Sequence, residues 1–358
     1  MQLAKWRLAV SSLVAVSCAC PPALEAREAH KPNVVIIATG GTIAGVGAST
    51  TNVSAYQSAV VGVDALLAAV PEIKNVANVR GEQIFQIGSQ SFNDERWLKL
   101  AHRVSDLLKS DAVDGIVITH GTDTLEETSY LLNLTLKSDK PVVLVGAMRP
   151  STAMSADGPL NLYNAVIVAA SSQAAGMGTL VVMNDEIHSA RDVTKTNSIK
   201  VETFRSLYGP LGTVVEGQPR LYRAPIRPHT RQTEFDIDEI KSLPQVDVVY
   251  SYANMSRAPY DALVASGTKA IIYAGFGDGS IPDYLDTAIS ELRAKGVFIV
   301  RATRTGSGAV VRNAETNDDK NDYVVVDDQN PAKARILMAL ALTKTTDTRE
   351  IQRIFLKY

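Results

Sequence analysis

Short runs of apolar residues recur along the chain and alternate with longer segments that have a helical pattern. Four of these runs are rich in β-branched residues and apolar on both faces: residues 33–37, 115–119, 141–145 and 179–183. Such runs are typical of parallel strands that helices cover on both faces. Helical patterns lie between them at 94–108 and 126–136. The alternation of strand and helix predicts a doubly wound α/β sheet.

This alternation breaks down between residues 217 and 246, where four prolines interrupt a polar stretch. A second alternation follows, with strand-like runs at 246–250, 270–273 and 297–300 and a final helical pattern from about 331 to 343. We therefore predict two α/β domains joined by a linker. The larger N-terminal domain spans 27–216, the linker spans 217–246, and the smaller C-terminal domain, with a parallel sheet, spans 247–358.

The composition is that of an ordinary globular protein, with 46% hydrophobic and 21% charged residues among 358. It allows a large core and gives no bias toward disorder. The formal net charge is only −2 and no block of like charges occurs, so no long-range field attracts nucleic acid or an anionic membrane. The five histidines lack the spacing of a metal site. These features favour a protein that binds a small molecule without a metal or cofactor.

The first 26 residues have the pattern of a secretory signal peptide. Lys5 and Arg7 precede an apolar run at 8–16, and small residues end the segment at Ala26. The run is too short to anchor the chain across a bilayer. We therefore expect export and cleavage after Ala26, and no membrane attachment after processing. An N-terminal core helix is the alternative.

Both cysteines, Cys18 and Cys20, lie within this N-terminal segment. Cleavage after Ala26 would leave a chain with neither a disulfide nor a thiol nucleophile. A competing hypothesis is a lipoprotein site at residues 15–18, with Cys18 acylated. The two hypotheses differ in whether the exported chain is free or attached to a membrane.

The first predicted strand ends in a glycine-rich turn that places Thr42 directly after Gly40 and Gly41. Paired glycines let the backbone turn sharply and approach a ligand closely, and ligands of open α/β sheets bind at the carboxyl ends of strands. Thr42 is therefore a candidate nucleophile. One alternative is an ordinary strand-to-helix turn with a threonine N-cap. Another is a dinucleotide fingerprint, but the G-x-G-x-x-G spacing is absent.

A second strand of this kind leads into Thr122 and Asp123. We expect these side chains to face the same crevice as Thr42, where a carboxylate beside a hydroxyl can hold a substrate ammonium or assist proton transfer. The alternative is structural. Thr124 and Glu127 have the spacing of a capping box, and an aspartate before them suits a helix N-terminus.

A hydroxyl nucleophile needs a base, and the sequence contains no G-x-S-x-G serine motif that would pair with a histidine. Lys195 is the candidate, because burial near Asp123 would tune its amine to accept a proton from Thr122. An ordinary solvated lysine is the alternative. Tyr56 follows the glycine-rich turn and is placed to close over the site as a lid; the alternative is a loop aromatic packed on the surface.

These motifs resemble the two signatures of bacterial type II L-asparaginases. The signatures match residues 39–44 and 120–124, and the similarity covers essentially the whole mature chain. Its further segments are 145–150, 154–159, 191–197 and 330–337. The periplasmic glutaminase-asparaginases, a subgroup that acts on both amides, look most similar. The resemblance implies a periplasmic enzyme that hydrolyses the side-chain amides of L-asparagine and L-glutamine.

The resemblance also implies a catalytic role for five residues. Thr42 matches the nucleophilic threonine of the glycine-rich turn, and Tyr56 matches the mobile tyrosine beside it. Thr122, Asp123 and Lys195 match the second threonine with its aspartate and lysine partners.

The residues that would bind the substrate are implied in the same way. Ser89 matches the serine that holds the substrate α-carboxylate, with Asp123 on the α-ammonium. Asn254 and Glu315 match C-terminal residues that reach a neighbouring subunit's site, which implies a homotetramer with shared active sites. Gln90 stands where members with dual specificity commonly have glutamate. A neutral glutamine would hold the ammonium by its dipole rather than by charge.

Two other classes of function compete with this interpretation. An exported, non-catalytic amino-acid-binding protein would also have two α/β domains and a small polar ligand, but it would not require paired threonine loops or Lys195. A nucleotide-binding enzyme is disfavoured because the phosphate-loop spacings are absent.

Overall fold

The computed structural model describes residues 31–358, which form sixteen strands and ten α-helices. The strands are β1 (Asn33–Gly40), β2 (Val46–Gly47), β3 (Tyr56–Gln57), β4 (Asn78–Ile87), β5 (Gly115–Thr119), β6 (Val142–Val145), β7 (Thr179–Met183), β8 (Glu186–Ser189), β9 (Val193–Lys195), β10 (Phe204–Ser206), β11 (Gly212–Val215), β12 (Gln218–Leu221), β13 (Val246–Tyr250), β14 (Ala270–Gly275), β15 (Phe298–Thr303) and β16 (Val324–Val325). The helices are α1 (Val63–Ala68), α2 (Ile73–Val76), α3 (Asp94–Leu108), α4 (Leu125–Thr135), α5 (Gly158–Ala169), α6 (Ala258–Ala265), α7 (Asp283–Ala294), α8 (Asp318–Asn321), α9 (Pro331–Leu342) and α10 (Thr348–Lys357).

The predicted signal peptide, its cleavage site and Cys18 lie outside the described residues. Among residues 31–358, no helix combines the length and the apolar character that crossing a membrane requires. The strands and helices predicted from the apolar pattern all form, with limits within three residues of the prediction.

Eight strands form the larger sheet, in the order β12-β11-β8-β7-β6-β5-β1-β4. The five strands from β7 to β4 are parallel, as predicted. In contrast, β8, β11 and β12 extend the sheet in antiparallel fashion, so the sheet is mixed. The last of these strands lies inside the range predicted as a linker, 217–246. Pro219 fits there because an edge strand does not need every backbone N–H for pairing.

Strand β1 shows why helices cover both faces of this sheet. Its successive side chains point to opposite faces. Val35 and Ile37 enter a core with α3 and α4, whereas Val34 and Ile36 enter a second core with α1, α2 and α5. All four side chains are at most 1% exposed. Both faces therefore have to be apolar, and β1 is continuously apolar from Val34 to Ala38 for that reason.

The smaller sheet is parallel throughout, in the order β13-β14-β15-β16. Helices α6 and α7 cover one face with a core of their own. Helices α9 and α10 cover the other face, and α9 also packs against α4 of the N-terminal part. Residues of α9 therefore belong to the same core as α3 and α4. The two larger sheets are separate, but this one core continues from the first to the second.

A buried ion pair fixes the loop that follows β15. The guanidinium of Arg301 binds the Asp318 carboxylate through two hydrogen bonds, Nε to Oδ1 at 2.6 Å and Nη2 to Oδ2 at 2.8 Å. Neither side chain is exposed. An arginine whose neighbours in a strand are all apolar is unusual, because a buried charge needs a partner. Here the partner comes from α8, seventeen positions later.

Candidate active site

The turn after β1 brings Thr42 to the carboxyl end of the larger sheet. Gly40 and Gly41 have φ angles of +107° and +82°, a conformation that residues with a Cβ rarely adopt. A Cβ on Gly41 would also lie 2.4 Å from the N and Cα atoms of Gly121. Gly41 takes the N-cap position of the short 3₁₀ turn Thr42–Ala44 without a side-chain cap. The alternative in which Thr42 is an ordinary N-cap is therefore wrong.

The loop after β5 carries Thr122 and Asp123 and rests on Ser89. The Asp123 backbone N–H donates to Ser89 Oγ at 3.1 Å, and Thr124 Oγ1 donates to the Ser89 carbonyl at 2.9 Å. Thr124 makes no capping hydrogen bond at the start of α4, and Glu127 binds Arg335 instead. The capping-box interpretation is therefore wrong, because the threonine hydroxyl joins two loops and does not cap the N-terminus of α4.

A buried chain of hydrogen bonds lies beneath this loop. His120 Nδ1 bonds to the Gly121 carbonyl at 2.7 Å, and its Nε2 bonds to Thr128 Oγ1 at 3.0 Å. Thr128 Oγ1 accepts a hydrogen bond from Trp97 Nε1 at 2.8 Å. Since a carbonyl only accepts, the neutral tautomer with its proton on Nδ1 satisfies all these groups. Complete burial of the ring lowers the pKa of His120 to about 4.

We expect the free energy of unfolding to fall as pH falls from about 6.5 toward 4. In this window the unfolded chain takes up a proton on His120 that the folded protein excludes. The same holds for His188, whose pKa burial lowers to about 4. Each buried histidine should lower the free energy of unfolding by about 2 kcal/mol between pH 7 and pH 5. Urea unfolding of the wild type, of His120→Gln and of His188→Gln at both pH values measures this loss. An unchanged pH dependence in both variants would contradict it.

Lys195 joins the second loop from strand β9. Its Nζ donates to Thr122 Oγ1 at 2.9 Å and to Asp123 Oδ1 at 2.7 Å. The lysine side chain is 18% exposed, whereas the aspartate side chain is 56% exposed. The amine thus lies between a hydroxyl and a carboxylate that is open to solvent. The alternative of an ordinary solvated lysine does not describe this position.

Tyr56 meets Thr42 from a short hairpin of β2 and β3. The two hydroxyl oxygens, Tyr56 OH and Thr42 Oγ1, are 2.7 Å apart, and either can donate. The base of this hairpin is held by the loop after β6, because Thr152 Oγ1 accepts from the Gly47 N–H at 2.8 Å and Ser151 Oγ donates to the Gly45 carbonyl at 2.7 Å. The tyrosine ring is not packed away on the surface but covers the threonine.

The two threonine loops and the hairpin enclose one open cavity of about 300 Å³. Its lining consists of Gly41, Thr42, Tyr56, Ser58, Gly88, Ser89, Gln90, Gly121, Thr122 and Asp123. Seven predicted site residues therefore lie at one place, since Lys195 reaches the cavity through its bonds to Thr122 and Asp123. Sequence reasoning missed Ser58, which lies two residues after Tyr56 on the same hairpin. A serine next to the lid residue was the only available signal.

Two predicted site residues lie elsewhere in the chain. Asn254 is an exposed residue with a φ of +62° in the turn after β13. Glu315 accepts a hydrogen bond from Ser280 in the loop that the Arg301–Asp318 pair fixes. Neither lines the cavity formed by its own chain.

The arrangement supports acyl transfer by a hydroxyl. Among residues 31–358, no cluster of three or more histidine, cysteine, aspartate or glutamate side chains could hold a metal ion. Two threonine hydroxyls instead line one cavity, each within hydrogen-bond distance of a second group that can share its proton. This is the geometry that activation of a weak oxygen nucleophile requires.

Comparison with known proteins shows to which family the chain belongs. The family model described as asparaginase, N-terminal, matches residues 33–227, and the glutaminase/asparaginase C-terminal domain matches 245–355. A glutaminase-asparaginase of Pseudomonas fluorescens biotype A is 56% identical over 343 residues, which cover 94% of this chain and 95% of the relative. A probable periplasmic L-asparaginase of Haemophilus influenzae is 49% identical over 92% of this chain and 94% of its own.

The fold agrees with a solved structure as well. The crystal structure of a probable cytoplasmic L-asparaginase from Campylobacter jejuni superposes with a TM-score of 0.89 at 47% identity. The match covers 92% of this chain and all of that one. The two family models thus match the N-terminal and C-terminal parts of the chain, and one solved structure covers both. The chain belongs to the asparaginase family of amidohydrolases.

Proposed function

We propose that this protein hydrolyses the side-chain amide of L-asparagine, and also that of L-glutamine, to the acid and ammonia, with Thr42 as the nucleophile. The observation that carries the proposal is the pair of threonines in one cavity, each bonded to its own partner: Thr42 to Tyr56, and Thr122 to Lys195. The names of the relatives, asparaginase and glutaminase-asparaginase, support the two substrates.

The first step would be acylation of Thr42. Its Oγ forms a bond to the amide carbon, and backbone N–H groups of the glycine-rich turn stabilise the tetrahedral oxyanion; such donors are worth roughly 3–4 kcal/mol in comparable sites. The hydroxyl proton passes by way of Tyr56 to the amide nitrogen. The carbon–nitrogen bond then breaks and ammonia leaves.

The second step would be hydrolysis of this ester. Lys195, with Thr122, takes a proton from a water molecule, whose oxygen forms a bond to the acyl carbon. The bond to Thr42 Oγ breaks and the proton returns to that oxygen, which regenerates the enzyme. The neutral amine of Lys195 would take this proton through Thr122 Oγ1, to which it bonds, while the bond to Asp123 Oδ1 holds the amine in place.

The substrate's backbone groups would bind to other residues that line the cavity. Ser89 would bind the α-carboxylate, while Asp123 and Gln90 would bind the α-ammonium. Asn254 and Glu315 would complete a neighbouring subunit's site, since they do not line their own. A homotetramer with shared active sites follows from this proposal and rests on the resemblance alone.

Incubation with each amide tests the proposed reaction. We expect equimolar aspartate and ammonia from asparagine, and glutamate and ammonia from glutamine, measured by amino-acid analysis and an ammonia assay. A protein that binds asparagine and leaves it intact would instead be the non-catalytic amino-acid-binding protein. Release of ammonia from neither amide would reject the proposal.

Gln90 is the residue we expect to set the preference between the two amides. The substitution Gln90→Glu replaces a dipole by a charge opposite the substrate ammonium, and charge-assisted hydrogen bonds are stronger. Glutamine has one more rotatable bond to fix, so its turnover should gain more from firm anchoring of the backbone groups. We expect the ratio of kcat/KM for glutamine to that for asparagine to rise about fivefold. A ratio equal to that of the wild type would remove Gln90 as a specificity element.

A matched control separates this effect from the added charge. Gln173→Glu makes the same chemical change at an exposed position outside the cavity. Its ratio should equal that of the wild type.

We also propose export to the periplasm by the signal peptide 1–26, and a division into domains at 27–216 and 247–358. The periplasmic name of the Haemophilus relative supports export, whereas the Campylobacter protein is named cytoplasmic. The two family models leave 228–244 unmatched, which supports a linker there. The intact mass of the exported protein distinguishes cleavage after Ala26 from acylation at Cys18.

A further inference from the structure

Strand β9, which carries Lys195, has a strand partner on only one edge. Its three residues pair with β10 in an isolated two-stranded ribbon. The Val193 carbonyl and the Lys195 N–H, two residues apart, point to the same side of the strand. Both are satisfied by side chains: Lys333 Nζ donates to the carbonyl, and Glu126 Oε2 accepts from the N–H at 2.8 Å. Along this other edge, the position of β9 thus depends on side chains rather than on a neighbouring strand.

Asn330 joins these side chains to the strand. Its Nδ2 donates to Glu126 Oε1 at 3.2 Å and to Thr194 Oγ1 at 3.0 Å, one bond for each amide hydrogen. Its Oδ1 accepts from the Lys333 N–H at 2.9 Å and so caps the N-terminus of α9. Both N–H groups of the Asn330 amide and one acceptor position of its oxygen are thus used between α4, β9 and α9.

Lys333 holds the same segment one turn further along α9. Its Nζ also donates to the Arg191 carbonyl at 2.7 Å. The side chain is only 2% exposed, and burial lowers the pKa of its amine to about 8, so it is mainly a cation at neutral pH. A buried charge is weak evidence for stability and is best explained by the geometry that it fixes. Here it fixes the backbone at two carbonyls on the approach to Lys195.

We propose that Glu126, Asn330 and Lys333 form a latch by which helix α9 positions the Lys195 amine for catalysis. The latch holds the backbone at one end of the lysine, while Thr122 and Asp123 meet its amine at the other. This inference rests on the catalytic role proposed for Lys195. None of the three latch residues lines the cavity, so they are positioning residues and not catalytic ones.

The latch also gives the second domain a positioning role at the active site of its own chain. Helix α9 follows the last strand of the smaller sheet, and it reaches β9 with its first turn. Amine-to-oxygen distances of 2.9 and 2.7 Å leave little room for displacement of β9. A displacement of about 1 Å in a catalytic group can reduce the rate roughly a hundredfold.

The substitution Asn330→Ser tests the latch, because serine is also a good N-cap but has no second donor. We expect kcat for asparagine to fall about tenfold, with KM within twofold of the wild type and little change in the melting temperature. Thr194→Val, which removes one of the two acceptors, should lower kcat two- to threefold. Glu126→Gln keeps an oxygen for the Lys195 N–H and should retain more activity than Glu126→Leu.

Asp347→Ser is the matched control, since it exchanges the N-cap of α10 without contact to β9. Its kcat should equal that of the wild type. A native kcat in both Asn330→Ser and Thr194→Val overturns the latch, as does a loss of activity that only follows the loss of folded protein. Lys195→Met separates the two proposals: if it retains native turnover, the proposed function of Lys195 fails, whereas an inactive Lys195→Met beside native Asn330→Ser rejects the latch alone.

Discussion

Replacement of Thr42 by alanine should lower kcat for asparagine by roughly a thousandfold or more. Loss of a nucleophile that forms a covalent intermediate removes the reaction path itself, and comparable knockouts in hydrolases lose about 10⁶ in kcat. Ground-state binding should change little, because Ser89, Gln90 and Asp123 would hold the backbone groups of the substrate. Ammonia release at saturating asparagine measures the effect.

Thr42→Ser is the conservative companion of this variant. It retains the hydroxyl that meets Tyr56 at 2.7 Å, so it should retain much of the activity. Turnover near the wild-type rate in Thr42→Ala would reject this threonine as the nucleophile, and Thr122 would then be the candidate nucleophile. Equal and severe losses in both variants would point to damage of the turn rather than to lost chemistry.

Lys195→Met should lower steady-state kcat about a thousandfold, within the range known for loss of a general base. Its amine bonds to Thr122 and Asp123, but the aspartate side chain is 56% exposed, so water can solvate it after the lysine is removed. The protein should therefore stay folded while turnover stops. Lys344→Met, which removes another lysine–carboxylate contact whose residues do not line the cavity, is the matched control and should remain active.

The time course of Lys195→Met can also order the two steps. If the Thr122–Lys195 pair activates the water, acylation should survive, and rapid mixing should show a burst of about one ammonia per active site before a slow phase. Absence of the burst together with the same loss of kcat would place the lysine in the first step. Native steady-state kinetics would reject a catalytic role for it altogether.

The sequence predicts the central strands of both sheets and the main helices because their apolar residues are continuous or regularly spaced. Strand β1 is the clear example, since both of its faces are buried. Strand β4 escaped prediction because it lies at the sheet edge, where its ten residues are mostly half-buried or exposed and include several polar side chains. The antiparallel extension β8-β11-β12 was also missed, because its strands are only four residues long, are separated by turns, and include polar residues and Pro219.

The candidate site divides in the same way. Thr42 and Thr122 follow strands that are easy to recognise, so their common edge of the sheet could be predicted. Hydrogen bonds between segments that are distant in sequence could not be predicted. The contact between Thr124 and Ser89 depends on how two loops pack, although the local spacing favours a capping box. The bonds from Asn330 to α4 and β9 span 136 to 204 positions, and no local pattern encodes such a contact.

The contact between the two threonine loops has a consequence for engineering this enzyme. A Cβ on Gly41 would collide with the backbone of Gly121, and one on Gly40 would lie 2.4 Å from the Ile87 carbonyl. Randomised libraries that include these two glycines would therefore yield mostly inactive clones. Variation that preserves the contact between the two loops has to come from other residues that line the cavity, such as the exposed Gln90 and the half-buried Ser58. An evolved change of substrate in this chain should thus map to such residues while the two glycines stay fixed.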